Sequence, residues 1–363
     1  MFCEYCGNKI DEDSCFCENC GNSTAQTVIK KTLYCPNCGN IITDDSSFCE
    51  ICGTQIIQSR FVETDKITTS VFSIQNLFIQ VFKKHSKKER ATILKSGIDE
   101  SDTSTYSKKI QPEDFQPWLY SRIFLCLTLI FLIFEICLLT FDNLKLLPAT
   151  IITGVLAIPF SILILYFELN IYRDISFFKT LLFFGLGGAI SLLFTLLLYS
   201  IFPTAETNIL RAIITSFIEE TAKTVIAIII ITQTKNASLL QGLLIGGAIG
   251  CGFSIFESAG YAFEKFEEYS LAEMNSTILI RSILSFGGHT TWAAITGAAF
   301  AKNKKININF FMYFAICFVL HALWDWSPLP SVNWLKYIVF CFIPWILIIN
   351  MIRSFIKDKA SIN

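Results

Sequence analysis

The chain has 363 residues, 53% of them hydrophobic and only 16% charged, with mean hydropathy +0.53 and 34 phenylalanines. That balance excludes an ordinary soluble globular protein and puts most of the chain in a lipid bilayer. A formal net charge of −1 creates no overall field for nucleic acid or acidic substrates, so no nucleic-acid partner is expected and local charge carries the functional reading.

The N-terminus differs in kind: nine of the fourteen cysteines fall within the first 52 residues. "CEYCGNKIDEDSCFCENCG" (3–21) and "CPNCGNIITDDSSFCEICG" (35–53) superpose after a shift of 32 residues, which sets Cys3, Cys6, Cys17 and Cys20 on Cys35, Cys38, Cys49 and Cys52. Each copy reads C-x2-C-x10-C-x2-C, with a Gly after every CxxC. The short turn lets two thiolates and nearby amides converge on one tetrahedral ion, as structural zinc requires. A redox CxxC is the competing reading, but four copies in two matched sets argue for metal. Units this small bury too little apolar surface to stay folded alone, so the ion supplies the missing folding free energy.

Two zinc ribbons are therefore expected, at 1–22 and 33–54, each with one structural zinc and closed by four sulfurs. The repeat resembles the zinc ribbons at the ends of many bacterial membrane proteins, including the Phe before the third cysteine (Phe16, Phe48). Cys15 aligns with Ser47 and is a spare thiol. The five remaining cysteines are scattered singly through apolar segments, as buried small hydrophobes. Residues 1–20 hold Glu4, Asp11, Glu12 and Asp13 and no apolar core, so no secretory signal is expected there and the ribbons belong in a reducing cytoplasm.

Residues 55–117 read as a polar, Ser/Thr-rich linker interrupted by "VFSIQNLFIQVF" (71–82), which runs directly into "KKHSKKER". An amphipathic helix lying on an anionic surface fits this pattern, and so does a solvated linker with one helical stretch.

From residue 118 to 357 hydropathy predicts a mostly α, polytopic bundle of about eight transmembrane helices. They fall near 119–141, 147–167, 178–202, 209–231, 238–262, 277–301, 308–327 and 334–355. Arg173, Lys179, Lys235, Lys302, Lys304, Lys305, Arg353, Lys357 and Lys359 fall on one set of loops, with little more than Lys145 and Lys265 on the other. This asymmetry predicts a multi-pass cell-membrane protein with both termini cytoplasmic.

Several spans carry ionisable groups. One such charge at a helix centre costs roughly 2.5–3.5 kcal/mol on insertion scales, so a group of them implies a protein-lined or wet cavity. At about 100° per residue, Ala212, Thr215, Ser216, Glu219, Glu220, Lys223 and Ala227 share one face of the fourth span, and Phe217, Ile218, Val225 and Ile228 lie off it. The fifth span sets Gly242, Gly246, Gly250, Ser254 and Ser258 at intervals of four, a stripe for close helix contact, with Glu257 and Tyr261 on an adjacent face. The sixth span places His289 at the head of a second small ladder, Ala293, Gly297 and Ala301. The seventh ends in "HALWDWS", with His321 and Asp325 on one face. Counted from the outer ends, these groups lie at compatible depths in one half of the membrane. Glu135 and Arg281 match no other feature and read as structural.

In order and placement these residues resemble the PrsW-type intramembrane proteases, distant relatives of the CAAX prenyl proteases. "EETAK" (Glu219 to Lys223) matches EExxK, "FESAGY" (Phe256 to Tyr261) matches FExxxY, His289 supplies a third motif, and "HALWD" (His321 to Asp325) matches HxxxD. The resemblance covers about residues 118–355 and implies cleavage of a membrane-anchored protein substrate, in PrsW itself an anti-sigma factor. As chemistry, hydrolysis without a Ser or Cys nucleophile needs an activated water and oxyanion stabilisation. Glu219 or Glu220 would be the general base, its partner protonated or paired with Lys223, because adjacent carboxylates in low dielectric do not both ionise readily. Glu257 would position the water. His289 and His321 would stabilise the oxyanion, protonate the leaving amine or bind a catalytic metal, with Asp325 orienting His321.

No helical HExxH is present, so any such metal would be assembled across helices. A rhomboid-like GxSG and a presenilin-like GxGD are also missing. Two rivals are a proton-coupled transporter, because paired intramembrane carboxylates suit proton relays, and a signalling scaffold whose ribbons bind a cytoplasmic partner. Against the transporter, the spans show no repeated halves.

Overall fold

The computed structural model describes residues 33–34, 41–42, 72–95, 97, 110–202, 207–234, 237–326 and 333–360. The eight cysteines predicted to hold zinc, and Cys15, lie outside these residues. In the first unit, Met1–Glu63, the strands Leu33–Tyr34 (β1) and Ile41–Ile42 (β2) pair antiparallel, Leu33 opposite Ile42 and Tyr34 opposite Ile41. In sequence they bracket the Cys35-x2-Cys38 segment.

The second unit, Thr64–Asn363, is helical among the described residues. A short helix, Lys87–Leu94 (α1), precedes Leu119–Phe141 (α2), Leu147–Leu169 (α3) and Phe177–Ile201 (α4, with a π turn at Phe183–Gly187). Then come Asn208–Gln233 (α5), Leu239–Glu268 (α6), Leu271–Leu284 (α7), His289–Asn303 (α8), Ile308–Asp325 (α9) and Asn333–Ala360 (α10).

Short polar side chains start these helices where backbone N–H groups would be orphaned. The Ser238 hydroxyl and Gln241 side chain form a capping box on α6, and Asn307 Oδ1 accepts the Phe310 N–H of α9 at 2.9 Å. The start of α2 is capped from a distance: the Glu168 carboxylate, near the end of α3, accepts the backbone N–H groups of Trp118, Leu119 and Tyr120 at 2.8, 2.8 and 2.9 Å.

Among the described residues six helical segments are long and apolar enough to cross a bilayer, against about eight expected. Both differences concern charge or glycine. The fourth predicted span is a continuous helix, α5, but Arg211, Glu219, Glu220 and Lys223 make it too polar to qualify by composition. The sixth, 277–301, is not one helix. It breaks between α7 and α8 at a 3-10 turn, Ser285–Gly287, followed by Gly288.

The break is held from outside. A methyl group on Gly287 would overlap the Cys341 backbone of α10, and Trp345 of α10 donates its indole N–H to the Phe286 carbonyl at 2.8 Å. A carbonyl at the break is thus satisfied by a side chain of a neighbouring helix, which is how interrupted helices are tolerated at membrane depth.

The linker also departs from expectation. Within 72–82 the chain forms a 3-10 turn at Ile74–Leu77 and further turns, and α-helix begins only at Lys87.

The centre of the bundle is α6: 94% of its apolar stretch is buried, against 11% for the peripheral α2. The two predicted small-residue ladders meet face to face. A Cβ on Gly242 would strike the Gly297 carbonyl and Ala301, one on Gly246 the Ala293 carbonyl, and one on Gly250 the His289 carbonyl. Only glycine lets α6 and α8 approach so closely.

At one end of the bundle, Gly97 packs on Ile175 and Ser176, Tyr172 meets Phe355, Lys304 Nζ donates to the Thr234 carbonyl and Lys302 pairs with Asp358 at 2.9 Å. The most basic loops of the membrane domain therefore share that end.

Candidate active site

All eight residues predicted for the site come together, drawn from α5, α6, α8 and α9. A cavity of about 560 Å³ is lined by Glu219, Glu257, Tyr261, His289, His321 and Asp325, while Glu220 and Lys223 lie behind its wall, both fully buried.

The i, i+3 spacing of Glu220 and Lys223 on α5 puts the ammonium 2.7 Å from Glu220 Oε1, and Glu219 Oε2 is farther away at 3.9 Å. Lys223 Nζ also lies 2.8 Å from His289 Nδ1 and 4.4 Å from the centre of the Phe253 ring. An ammonium can only donate, so His289 Nδ1 accepts and its proton sits on Nε2, 3.1 Å from Glu257 Oε2. The break before α8 makes this contact available: it puts His289 at the first position of the helix, against Gly250 of α6.

On α9, His321 Nδ1 lies 2.9 Å from Glu220 Oε1. The carboxylate paired with Lys223 is an acceptor, so His321 donates from Nδ1 and its Nε2 lone pair stays open, 3.7 Å from Glu219 Oε2 and 3.4 Å from Asp325 Oδ2. Trp292 stacks on this ring at 4.7 Å and fixes its plane. One buried ion pair, Glu220 with Lys223, thereby sets the orientation of both imidazoles.

Two residues that sequence reasoning passed over belong to the same network. Tyr199 of α4 donates its hydroxyl to Glu219 Oε1 at 2.9 Å, while Glu219 Oε2 has no hydrogen-bond partner among the described residues. Arg281 of α7, read as structural, lines the cavity. It donates from Nη2 to Glu257 Oε2 at 2.6 Å and from Nε to Ser258 Oγ at 2.9 Å, and its guanidinium stands 4.3 Å from the Tyr261 ring centre. A lone tyrosine at the end of an apolar span carries no sequence signal. Arg281 could have been noticed as an intramembrane cation in need of a carboxylate. Glu135, the other group read as structural, accepts from Asn275 and joins α2 to α7. Ile218, expected off the packed face of α5, is buried, because α5 has neighbours on several sides.

Donor atoms of Glu219, His289 and His321 all lie within 4.8 Å of one another. Two imidazoles and a carboxylate are a ligand set suited to zinc with an open position, and the unpartnered Glu219 oxygen is the kind of group a cation would satisfy. The residues present fit a divalent metal once His289 gives up the Nε2 proton it directs at Glu257.

Residues 175–349 match the family model described as PrsW family intramembrane metalloprotease, and residues 3–53 match that described as double zinc ribbon. No curated protein and no solved structure matches the chain. The membrane helices, the convergent site and the two matches agree: the chain contains a domain that matches the PrsW family of intramembrane metalloproteases, preceded in sequence by a segment that matches a double zinc ribbon.

Proposed function

We propose that this protein is an intramembrane endopeptidase that hydrolyses a peptide bond of a membrane-anchored protein, such as an anti-sigma-factor-like regulator. The catalytic set is Glu219, Glu220, Lys223, Glu257, Tyr261, His289, His321 and Asp325. The observation that carries the reading is Glu219 in the wall of a cavity shared with both imidazoles, with one carboxylate oxygen, Oε2, buried and without a hydrogen-bond partner among the described residues.

Glu219, not Glu220, is the proton acceptor for water: it lines the cavity, whereas Glu220 is buried against Lys223 and His321. Glu257 holds the Nε2 proton of His289 and helps position the water. His321, backed by Glu220 on one side and Asp325 on the other, has its open Nε2 3.7 Å from Glu219 Oε2, so it takes over the proton that Glu219 removes from water, and the resulting imidazolium serves the oxyanion or the leaving amine. Tyr261 lines the wall beside Arg281.

Glu219, His289 and His321 are also the residues that would hold a catalytic metal, and a divalent ion there would supply Lewis acidity to the scissile carbonyl and the water. Glu219 cannot then be the free base, so the two schemes are exclusive.

In the N-terminal unit, Cys3, Cys6, Cys17 and Cys20 hold one structural zinc and Cys35, Cys38, Cys49 and Cys52 a second, as a cap or as a surface for a cytoplasmic partner. Ribbons at 1–22 and 33–54, a linker at 55–117 and a protease domain at 118–357 make up the chain. The basic loops gathered at one end of the bundle support cytoplasmic termini.

The test is cleavage of a co-expressed single-span substrate together with a zinc count on the full chain. Glu219→Gln should abolish cleavage with the fold intact, and full cleavage by this variant would overturn the assignment. Two zincs per chain, unchanged in His321→Ala, would support the metal-free scheme. A third ion lost in His321→Ala would support the metallopeptidase.

A further inference from the structure

Outside the protease site, residues 72–90 combine three properties in one short segment. It is tied to the entry of a membrane span. Tyr120 donates its hydroxyl to the Leu77 carbonyl at 2.9 Å, Arg122 donates to the carbonyls of Val81 and Lys83, and Gln80 donates to Gln116 at 2.6 Å. Phe72 packs on Phe115 with ring centres 5.2 Å apart, and His85 stacks on Trp118 at 3.9 Å. Residues 116–122 are the last before α2 and its first turn, so these contacts fix the segment at the depth where that span leaves the bilayer.

Its outer side is apolar. Phe82 is 95% exposed, Phe78 59%, Ile74 50% and Ile79 45%, although Phe72 in the same stretch is 1% exposed. The bundle thus covers one side of the segment and leaves four large hydrophobic side chains bare, an arrangement unfavourable in water and favourable in the acyl boundary.

Next to these side chains stand exposed Lys83, Lys84, Lys87, Lys88 and Arg90. The single acid among them, Glu89, is also exposed and sits at the N-terminus of α1, where it accepts the Ser86 N–H at 2.6 Å and its own N–H donates to the Ser86 hydroxyl. Its carboxylate serves the capping box, and five exposed cations against this one acid leave the segment basic.

We infer that residues 74–90 are a binding site for anionic phospholipids of the bilayer. Ile74, Phe78, Ile79 and Phe82 enter the acyl boundary, and Lys83, Lys84, Lys87, Lys88 and Arg90 meet the headgroup phosphates. The tether to α2 is what commits the occupant to lipid: it sets exposed phenylalanines beside lysines at the depth where a membrane span begins, which complements an anionic leaflet and not a protein partner in solution.

The experiment uses the full chain in neutral detergent, titrated separately with phosphatidylglycerol and phosphatidylcholine, with bound lipids counted by native mass spectrometry. Phosphatidylglycerol should bind preferentially. Each basic residue near an anionic surface is worth about 1 kcal/mol, about fivefold. The exposed quadruple variant Lys83→Gln, Lys84→Gln, Lys87→Gln, Lys88→Gln should therefore lose at least tenfold in phosphatidylglycerol affinity while phosphatidylcholine binding holds. Phe78→Ser with Phe82→Ser should weaken both lipids. Equal binding of the two lipids by the parent chain, or an undiminished anionic preference in the quadruple variant, would overturn the proposal.

Discussion

The Tyr199 hydroxyl donates to Glu219 Oε1 at 2.9 Å and so fixes the orientation of that carboxylate in the cavity wall, leaving Oε2 without a hydrogen-bond partner among the described residues. Hydrogen bonds to charged groups are worth about 1.5–3 kcal/mol, so Tyr199→Phe should lower kcat by roughly 10- to 100-fold. KM should change little, since the hydroxyl serves Glu219 rather than the substrate. Steady-state cleavage of a single-span substrate in defined detergent measures both, and a KM effect with kcat intact would remove Tyr199 from this role.

Glu219 and Glu220 are adjacent in sequence but should fail differently. Glu219→Gln is expected to fold normally and to lose cleavage by at least about 10²-fold, the low end of general-base contributions. Glu220→Gln instead strands the fully buried Lys223 ammonium. Breaking a buried pair costs about 3–5 kcal/mol, so this variant should melt at markedly lower temperature as well as lose activity. Thermal unfolding of the two variants side by side separates base from scaffold.

Arg281 neutralises Glu257 at 2.6 Å, with Glu257 in turn 3.1 Å from His289. Arg281→Met should reduce cleavage by at least tenfold and Arg281→Lys should restore a part of it, because the ammonium returns the charge without the second bond to Ser258. Equal activity in the methionine variant and the parent would leave Arg281 with packing alone.

The contact of α6 with α8 predicts an effect without any change in chemistry. Gly246→Ala drives a methyl into the Ala293 carbonyl, and Gly250→Ala one into that of His289. Overpacking costs about 1–3 kcal/mol, visible as a lower melting temperature. The Gly250 variant should in addition lose activity out of proportion to stability, since it displaces the backbone that carries His289.

Much of this protein is legible in its amino acids taken in order. Cysteine spacing implies the ribbons, and the PrsW family matches the domain suggested by EExxK, FExxxY, His289 and HxxxD. Hydropathy locates the helices, and the glycine and alanine ladders at intervals of four are the two sides of one contact. These features are local or periodic, and periodicity survives in a linear string.

What packing alone determines is which groups meet. Whether Glu219 or Glu220 faces the cavity depends on where Lys223, His321 and Tyr199 arrive from other helices, and no spacing within α5 encodes that. The break at Ser285–Gly287 was foreshadowed by the Gly287–Gly288 pair, yet hydropathy ran through it, because the freed backbone is satisfied by Trp345 more than fifty residues away. Arg281 read as isolated for the same reason: its carboxylate lies on the preceding helix, and only the folded bundle brings the two within 2.6 Å. Order along the chain determined the parts, and the low-dielectric interior, where each buried charge must find a partner, determined how they pair.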